Sequence, residues 1–441
     1  MKLKNIELNL FLMERIEMKI SDIKKMLLKG DFDEKLQMLT CKEDINGAKE
    51  RYIKLIDDAI NEFGDLDDAH LICAPGRTEI GGNHTDHQHG RVLAGSVNMD
   101  IAAVVCKSKD SIDYKSEEFN LETIYINDLE IKPEEKFTSE AIIRGIAFRF
   151  KDLGYNIGGF KAYSHSEVLQ GSGISSSAAF EVLIGNIFNY LYNDGNVDRV
   201  TIAKIGQYAE NNYFMKPCGL LDQMACSVGG FVTIDFKDNE NPLVEKIEFD
   251  FAHSDYALCL VDTKGSHSDL SDEYGLMPYE MKQVAKVFNK EVLSEITMNE
   301  LLSNIDKVKE VCSDRAILRS IHFLNETERV VDQVKALKDN DLETFKKLIV
   351  ESGYSSYMYL QNVYKPNKEN TQELALALAV SEQLLKNKGA YRVHGGGLAG
   401  TIQAFVPKDM LDTYINQIEK IFGNDSCHVL TIRPIGGYQI I

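Results

Sequence analysis

Residues 74–90, APGRTEIGGNHTDHQHG, concentrate polar side chains between glycines. Glycine lets the backbone turn tightly, so these side chains can converge on one ligand. Histidine and aspartate are ordinary zinc ligands, but the order here is H-x-D-H-x-H, whereas zinc hydrolases with a similar cluster usually have H-x-H-x-D-H. The segment therefore predicts a site for a sugar or another polar ligand, with a metal site and a solvated loop as alternatives. The side chains concerned are Arg77, Glu79, Asn83, His84, Asp86, His87 and His89.

A second glycine-rich segment, QGSGISSS at residues 170–177, comes directly before the apolar segment 178–192. Its glycines leave backbone N–H groups free, and its hydroxyl groups can cap a helix. A helix that begins after such a loop offers an anion-binding site at its N-terminus. No lysine follows the glycines, so the segment is not a Walker A loop. It predicts an anion site, and a plain capped helix is the alternative.

Two further segments carry polar groups in tight turns. In KPCGLLDQ, residues 216–223, a carboxylate follows a Pro-Cys-Gly turn in apolar surroundings. Asp222 is therefore a candidate general base, and a helix-capping aspartate is the alternative. In VHGGGLAG, residues 393–400, the H-G-G-G run also occurs in the oxyanion loop of lipases and esterases. That fold needs a G-x-S-x-G elbow, and no serine of this chain has glycines two residues before and after it, which argues against a hydrolase.

Strands and helices must position these segments. Apolar spacing predicts helices over 49–63, 178–192, 201–214 and 408–422, and a hairpin over 228–236. Strands are predicted at 71–74, 91–106, 256–263, 391–397, 401–406 and 429–435. The first 48 residues suggest short amphipathic helices, broken at Lys29-Gly30-Asp31, with a partner-binding helix as the alternative. The mixture lacks regular βαβ alternation, which favours the α+β class over a doubly wound sheet.

The chain has 441 residues, with 49 Lys or Arg against 68 Asp or Glu, and its formal net charge is −19. At ~100–200 residues per domain, that length favours two to three domains. The negative charge argues against nucleic acid or an anionic membrane as a partner. None of the eight cysteines form a C-x-x-C pair, and several lie in apolar runs, so we expect reduced core thiols in a cytoplasmic protein. No secretory signal is visible, and the longest purely apolar run, 374–380, is far shorter than the ~20 residues of a membrane span.

Taken in this order, the four segments resemble the motifs of the GHMP small-molecule kinases, and within them those of the galactokinases. GRTEIGGNHTDH, residues 76–87, is similar in register to the family signature G-R-x-N-x-I-G-E-H-x-D-Y. GSGISSSAA resembles the phosphate loop, CGLLDQ the C-G-x-x-D-Q turn, and GGGLAG the late glycine motif. The likeness covers roughly residues 50–441.

The resemblance implies ATP-dependent phosphorylation of a hexose at its anomeric hydroxyl, galactose above all. Asp222 would accept the hydroxyl proton or hold the oxygen for in-line attack, and Arg77 would favour the Asp222 carboxylate. Ser176 and Glu210 match Mg²⁺ contacts, since hard oxygen ligands suit that ion. Residues matching the phosphate cradle are Gly171, Gly173, Ser175 and Ser176, and those matching sugar contacts are His84, Asp86, Gly219 and Tyr274, with Tyr279 a competitor for the last. A small-molecule sugar and ATP are the expected ligands, and the oligomeric state stays open, with a monomer plausible.

Three positions depart from the family signature. The family asparagine is Glu79 here, the family glutamate before histidine is Asn83, and the following tyrosine is His87. By the same resemblance, Glu79 and Asn83 are further candidate sugar-binding residues. We hypothesise that they are neighbours, so that the site keeps one carboxylate and one amide with their places exchanged. Because sites built around substrate hydroxyls discriminate strongly, a related sugar such as galacturonate, arabinose or N-acetylgalactosamine is an alternative substrate. A non-catalytic sensor of sugar and ATP is the alternative of another class.

By the same resemblance, the expected fold is the α+β GHMP kinase architecture. It comprises an N-terminal domain related to ribosomal protein S5 and a ferredoxin-like C-terminal domain, with the active site in the cleft between them. We place a helical extension at 1–48, the N-terminal domain at 49–250 and the C-terminal domain at 251–441, the second boundary being where the pattern of elements restarts.

Overall fold

The computed structural model describes residues 18–117, 119–168, 173–265, 270–365 and 369–441. Its α-helices are Ile20–Lys29 (α1), Asp33–Thr40 (α2), Asn46–Phe63 (α3), Ser139–Asp152 (α4), Ser176–Tyr192 (α5), Arg199–Asn212 (α6), Leu221–Val228 (α7), Ser271–Val287 (α8), Met298–Ser303 (α9), Ile305–Val311 (α10), Asp314–Lys338 (α11), Leu342–Ser355 (α12), Glu373–Leu385 (α13) and Leu411–Phe422 (α14). Its strands are Ala69–Gly81 (β1), Arg91–Ser108 (β2), Ser111–Ser116 (β3), Ile124–Tyr125 (β4), Gly159–Ser166 (β5), Phe231–Asp235 (β6), Leu243–Ile247 (β7), Tyr256–Asp262 (β8), Ala390–His394 (β9), Thr401–Pro407 (β10), Cys427–Leu430 (β11) and Tyr438–Gln439 (β12).

The larger sheet is built around β1 and β2. Its strand order is β12-β1-β2-β5-β3-β4, and β6 joins β2 on one side and β7 on the other. Strand β2 is long enough to serve two partners, because residues 91–95 pair with β6 and residues 101–108 pair with β5. Strand β3 runs parallel to β5, and the other pairs of this sheet are antiparallel.

Both faces of this sheet are buried along β1. Ile72 and Ala74 face a core that includes α5, whereas Leu71 and Cys73 face a second core formed with α1, α2 and α3. Because side chains alternate across a strand, the continuous apolar run that predicted this strand reflects burial on both faces. Helix α1 ends at Lys29 because Gly30 adopts the left-handed conformation, with φ of 92°. The predicted break between short N-terminal helices is thus confirmed.

The second sheet has the order β11-β8-β10-β9, and all its pairs are antiparallel. In chain order this is 4-1-3-2, with helices between its first and second strands and α14 between its third and fourth. That βαββαβ arrangement is the ferredoxin-like one. Helices α13 and α14 cover one face, through buried Leu374, Ala377, Tyr414 and Ile418. The α+β class and the two-part kinase architecture predicted from the sequence are confirmed.

Two predicted elements are wrong. The strand predicted at 429–435 is β11, which begins earlier and ends at Leu430. Residues 228–236 do not form a hairpin, because Gly229 ends α7 and only 231–235 form a strand. That strand pairs with β7 across a later polar turn. The end of the chain also returns to the first sheet, where Gln439 pairs with Ile72. The domain boundary near 250 stays a prediction. None of the helices in the described residues combines the length and apolarity needed to cross a membrane.

Candidate active site

The centre of the site is an ion pair between Arg77 and Asp222. Arg77 follows a bulge in β1, and Asp222 lies in the first turn of α7. Arg77 Nε donates to Asp222 Oδ1 at 2.7 Å, and Arg77 Nη2 donates to Asp222 Oδ2 at 2.8 Å. This two-pronged contact fixes the plane of the carboxylate as well as its position. Arg77 and Asp222 are 145 positions apart, and only the family resemblance predicted that they are neighbours. The structure brings them together.

The surroundings of Asp222 keep its carboxyl group ionised. Burial alone would raise the pKa of this group, but the Arg77 charge, the Arg77 hydrogen bonds and the Ser175 hydroxyl together bring the pKa below its ordinary value. Ser175 Oγ donates to Asp222 Oδ2 at 2.5 Å. Oδ2 therefore accepts two hydrogen bonds, whereas Oδ1 accepts one from Arg77 and keeps a lone pair.

The phosphate loop crosses the site beside Arg77. Arg77 N–H donates to Ile174 O at 3.0 Å, and Arg77 Nη1 donates to Gly173 O at 2.5 Å. A Cβ on Gly76 would lie 2.7 Å from Ile174 O, so glycine is required for this close approach of loop and strand. Ser175 precedes α5 with a left-handed φ of 56°, and its hydroxyl turns to Asp222 instead of capping the helix. Gly171 lies outside the described residues.

Helix α5 leads from this loop into a cavity of about 700 Å³. Ser176, Ser177 and Glu210 line one part of it. The rest of the wall combines aromatic side chains with polar ones. The aromatic residues are Tyr114, Phe119, Phe137, Phe180 and Phe214, and the polar residues include Glu117 and His165. A cavity that offers both apolar surface and polar groups is typical of a small-molecule site.

Glu210 is buried on α6 and lines both this cavity and a smaller one of about 150 Å³. Lys216 Nζ lies 3.3 Å from Glu210 Oε1, and Gln223 Nε2 donates to Glu210 Oε2 at 2.9 Å. The smaller cavity is lined by Asp222, Glu210 and Ser177 together with Asp86, Gly219 and Lys216, among others. The carboxylate predicted to receive a proton and the carboxylate predicted to bind a metal therefore face the same space.

Residues 82–90 form the turn that brings Asp86 to this space. His84 has a left-handed φ of 56°, and its Nε2 donates to Gly396 O at 2.9 Å. Asp86 lies so close to the Pro-Cys-Gly turn that a Cβ on Gly219 would be 2.6 Å from Asp86 Oδ2. Burial raises the pKa of the Asp86 carboxyl, although the nearby His84 acts in the opposite direction.

Glu79 and Asn83 are in contact, as the exchange hypothesis requires. Asn83 Nδ2 donates to Glu79 Oε1 at 2.9 Å and to Gly395 O at 2.7 Å. Arg392 Nη2 donates to the same Glu79 oxygen at 3.0 Å. Asn83 is fully buried, and its Oδ1 accepts a hydrogen bond from Asn362 at 2.8 Å. Protein groups thus bind the Asn83 amide on several sides, and the predicted contact of Asn83 with a sugar stays a prediction.

Tyr274 of α8 packs against the late glycine motif, residues 393–400. Its hydroxyl donates to Gly397 O at 2.6 Å, and a Cβ on Gly396 would be 2.8 Å from the Tyr274 ring. Tyr279, the competing position, has 59% of its surface exposed. The structure therefore favours Tyr274 as the tyrosine that adjoins the site.

The histidine-rich turn is not a metal centre in the described residues. Elsewhere in the described part of the chain, Asp58, Glu117 and His165 bring three potential metal-ligand atoms within 4.8 Å of one another. This group includes none of the histidines of residues 74–90. His165 Nε2 donates to Asp58 Oδ2 at 3.0 Å, and Lys54 pairs with Glu117, so protein cations and donors already satisfy this group.

Sequence analysis missed the buried polar residues that support the turn from the C-terminal half. Glu79 N–H donates to His394 Nε2 at 3.2 Å, which leaves His394 Nδ1–H to donate to Thr401 Oγ1 at 3.0 Å. His322 Nε2 donates to Asn83 O at 2.9 Å. His394 belongs to the H-G-G-G run, but Thr78 and Glu79, its partners on β1, lie more than 300 positions away in the chain.

Two family models match the chain. The model described as "GHMP kinases N terminal domain" matches residues 141–230, and the model described as "Galactokinase galactose-binding signature" matches residues 60–107. These ranges contain the phosphate loop, Asp222 and the turn around Asp86. They contain every lining residue of the smaller cavity.

Curated relatives match over most of the chain. A galactokinase of Clostridium tetani is 30% identical over 394 residues, which are 86% of this chain and 94% of that protein. A galactokinase of Thermotoga petrophila is 30% identical over 358 residues, which are 80% of this chain and 95% of that protein.

Solved structures show the same fold. Lactococcus lactis galactokinase complexed with galactose superimposes with a TM-score of 0.73 at 22% identity, over 87% of this chain and 98% of that one. Methanococcus jannaschii mevalonate kinase gives a TM-score of 0.58 at 15% identity, over 82% of this chain and 98% of that one. With relatives of this identity and coverage, and with its motifs assembled around one pair of cavities, the chain belongs to the galactokinase family of the GHMP kinases.

Proposed function

We propose that the protein transfers the terminal phosphoryl group of ATP to the anomeric hydroxyl of galactose. The observation that carries this proposal is the Asp222 carboxylate, which Arg77 holds ionised where the phosphate loop and the sugar signature meet. The galactokinase relatives and the galactose complex of the Lactococcus lactis enzyme support galactose as the acceptor.

ATP would occupy the 700 Å³ cavity with its phosphates toward the N-terminus of α5. The N–H groups and the positive end of that helix favour an anion there. The aromatic part of the wall suits a nucleobase. Gly171, Gly173, Ser175 and Ser176 are the proposed phosphate cradle, although the Ser175 hydroxyl is directed at Asp222.

The donors at the polar end of this cavity fit Mg²⁺. A serine hydroxyl and a carboxylate are hard oxygen donors, and few protein ligands are needed because phosphates and water complete the shell. We propose that Ser176 and Glu210, which both line the cavity, would hold the ion. Bound Mg²⁺ would neutralise phosphate charge as it develops. The Lys216 ammonium group lies 3.3 Å from Glu210 Oε1.

The acceptor hydroxyl would donate to Asp222 Oδ1, the oxygen that retains a lone pair. Since a carboxylate with a lowered pKa is a weak base, and phosphoryl transfer has a largely dissociative transition state, we assign Asp222 mainly to holding the hydroxyl in line. Arg77 would stabilise the Asp222 carboxylate and the charge that develops beside it. Asp86, Gly219, His84 and Tyr274 form the proposed sugar side, with Glu79 and Asn83 supporting them.

We also infer that the protein acts in the cytoplasm, as a monomer in the simplest case. All eight cysteines lie in the described residues and are free thiols. This agrees with a reducing compartment.

The test is ADP release measured across a panel of aldoses and uronic acids, with Asp222→Asn as the control. We expect turnover with galactose and a loss of at least ~100-fold in kcat for Asp222→Asn. Binding of galactose and ATP without ADP release would identify a sensor. Turnover of a uronic acid in preference to galactose would reassign the substrate, and an Asp222→Asn variant equal to the wild type would overturn the mechanism.

A further inference from the structure

Three buried polar side chains meet directly behind the cleft. Gln223 Nε2 lies 2.9 Å from Glu181 Oε2 and 2.9 Å from Glu210 Oε2. Glu181 lies on α5, Glu210 on α6 and Gln223 on α7, next to Asp222. Each of the three is at most 3% exposed. One amide thus joins the three helices that supply the phosphate loop, the metal-site carboxylate and the reactive carboxylate.

The hydrogen-bond partners of Gln223 determine which way its amide is oriented. An amide nitrogen has two N–H donors, and the two carboxyl oxygens, each at 2.9 Å, take both. Cys218 Sγ, at 3.6 Å from the same nitrogen, is a longer and weaker contact. The opposite orientation would set the amide oxygen against two carboxyl oxygens. Two atoms are then left over, Glu181 Oε1 and Gln223 Oε1, which are buried and have no hydrogen-bond partner among the described residues.

A single proton on Glu181 Oε1 would give both of these atoms a hydrogen-bond partner. If Glu181 Oε1 carries a hydrogen, it is a donor and Gln223 Oε1 is an acceptor. The two groups are already joined through Gln223 Nε2 and Glu181 Oε2, so the added hydrogen bond would close a face-to-face acid–amide pair. An ionised Glu181 would instead leave two buried acceptors unsatisfied and place two buried carboxylates around one neutral donor, an arrangement that is strongly unfavourable.

We propose that Glu181 is a neutral carboxylic acid paired face to face with the Gln223 amide, and that this pair is a positioning element for Glu210. The pair fixes the Gln223 amide in one orientation, and its second N–H then binds Glu210 Oε2. Glu210 Oε1 is the oxygen left on the cleft side, where Lys216 approaches it. Burial, and next to it the Glu210 charge, raise the pKa of Glu181 well above its ordinary value, which agrees with this assignment.

This inference rests on the proposed function, because it concerns the residue that would hold Mg²⁺. It is tested by the binding of Mn²⁺, as a paramagnetic substitute for Mg²⁺, to the protein with a non-hydrolysable ATP analogue. Glu181→Gln keeps the shape and can form an amide–amide pair with Gln223, whereas Glu181→Leu and Gln223→Leu cannot pair. Glu328→Gln, at a side chain that is 76% exposed, is the control for the loss of one charge.

We expect Glu181→Gln and Glu328→Gln to bind Mn²⁺ within about twofold of the wild type, and the two leucine variants to bind it ~10–100-fold more weakly. A Glu181→Gln affinity as weak as that of Glu181→Leu would overturn the neutral acid, and leucine variants with wild-type affinity would overturn the positioning role. If the leucine variants fail to fold, infrared spectroscopy of the wild type and of Glu181→Gln tests whether Glu181 is neutral. The wild type must show the carbonyl band of a protonated carboxyl at neutral pH, and Glu181→Gln must lack it. Galactose turnover by the wild type tests the proposed function separately, since Mn²⁺ binding can be measured without it.

Discussion

Replacement of Arg77 by methionine tests the electrostatic core of the site. The substitution removes both hydrogen bonds to Asp222 and the only cation that contacts this carboxylate in the described residues. Removing one partner of a buried ion pair lowers stability by about 3–5 kcal/mol. The Asp222 side chain is 36% exposed and keeps its Ser175 donor, so water and that hydroxyl offset part of the loss. We expect a decrease of about 2–3 kcal/mol in the free energy of unfolding.

The same substitution should move the pH dependence of catalysis. In the wild type, Arg77 brings the pKa of Asp222 below its ordinary value, so the carboxylate stays ionised into the acidic range. Without Arg77, the effect of burial is opposed chiefly by Ser175 and the pKa rises. The acidic limb of kcat/KM should therefore shift to higher pH, and kcat/KM at neutral pH should fall ~10²–10³-fold. A lowered folded-state pKa contributes stability above the unfolded pKa and loses it as the pH falls, whereas a raised one does the reverse. The stability difference between variant and wild type should therefore shrink as the pH falls, first through the raised pKa of Asp222 in the variant and then through its lowered pKa in the wild type.

The matched control is Arg91→Met, which removes another arginine–aspartate pair of the same sheet. Arg91 Nε lies 2.8 Å from Asp235 Oδ2, but the Arg91 side chain is 33% exposed. We expect a stability loss of about 0–1 kcal/mol and no shift of the acidic limb. Chemical denaturation and kcat/KM profiles over the acidic range measure both effects. An unmoved acidic limb in Arg77→Met, or an equal shift in both variants, would refute the reasoning.

Four further substitutions probe the rest of the site. Gly219→Ala places a methyl group 2.6 Å from Asp86 Oδ2, and should raise the KM for sugar at least ~10-fold without changing the KM for ATP. Ser175→Ala removes a hydrogen bond to a carboxylate, and should lower kcat about tenfold in steady-state assays; an unchanged kcat would show that this bond is not used. Glu79→Asn and Asn83→Glu should each lower kcat/KM by ~100-fold or more, and the double variant should recover at least tenfold, because it restores one carboxylate and one amide at two positions that are in contact. If the double variant stays as inactive as the singles, the exchange hypothesis fails.

The sequence predicts most clearly the features that depend on local pattern. The apolar segment 178–192 is a buried helix, and the break at Gly30 is where α1 ends. The resemblance, rather than any spacing, linked Arg77 to Asp222, since residues 145 positions apart carry no local signal of contact. The predicted hairpin over 228–236 failed because two adjacent glycines suggested a turn that is in fact the end of a helix.

The chemistry of buried partners was beyond prediction for a physical reason. Whether a polar side chain binds substrate or supports its neighbours depends on which acceptors the fold brings to it. Asn83 stands in a sugar-binding motif, yet its amide is used by Glu79, Gly395 and Asn362. Ser175 stands in a phosphate loop, yet its hydroxyl binds Asp222. Those partners come from distant parts of the chain, so the motif alone assigns the location of each residue but not its role.

The net charge of −19 bears on how this site would work more than on what it binds. The average field of the protein repels an anion such as ATP, so attraction must come from groups within the cleft. The positive end of α5 supplies one such group, and Mg²⁺ held by Ser176 and Glu210 would supply another. The Arg77 charge, by contrast, is matched by Asp222, to which it is bonded twice. Nucleotide affinity should therefore depend steeply on the divalent ion and only weakly on Arg77, whereas phosphoryl transfer should depend on both.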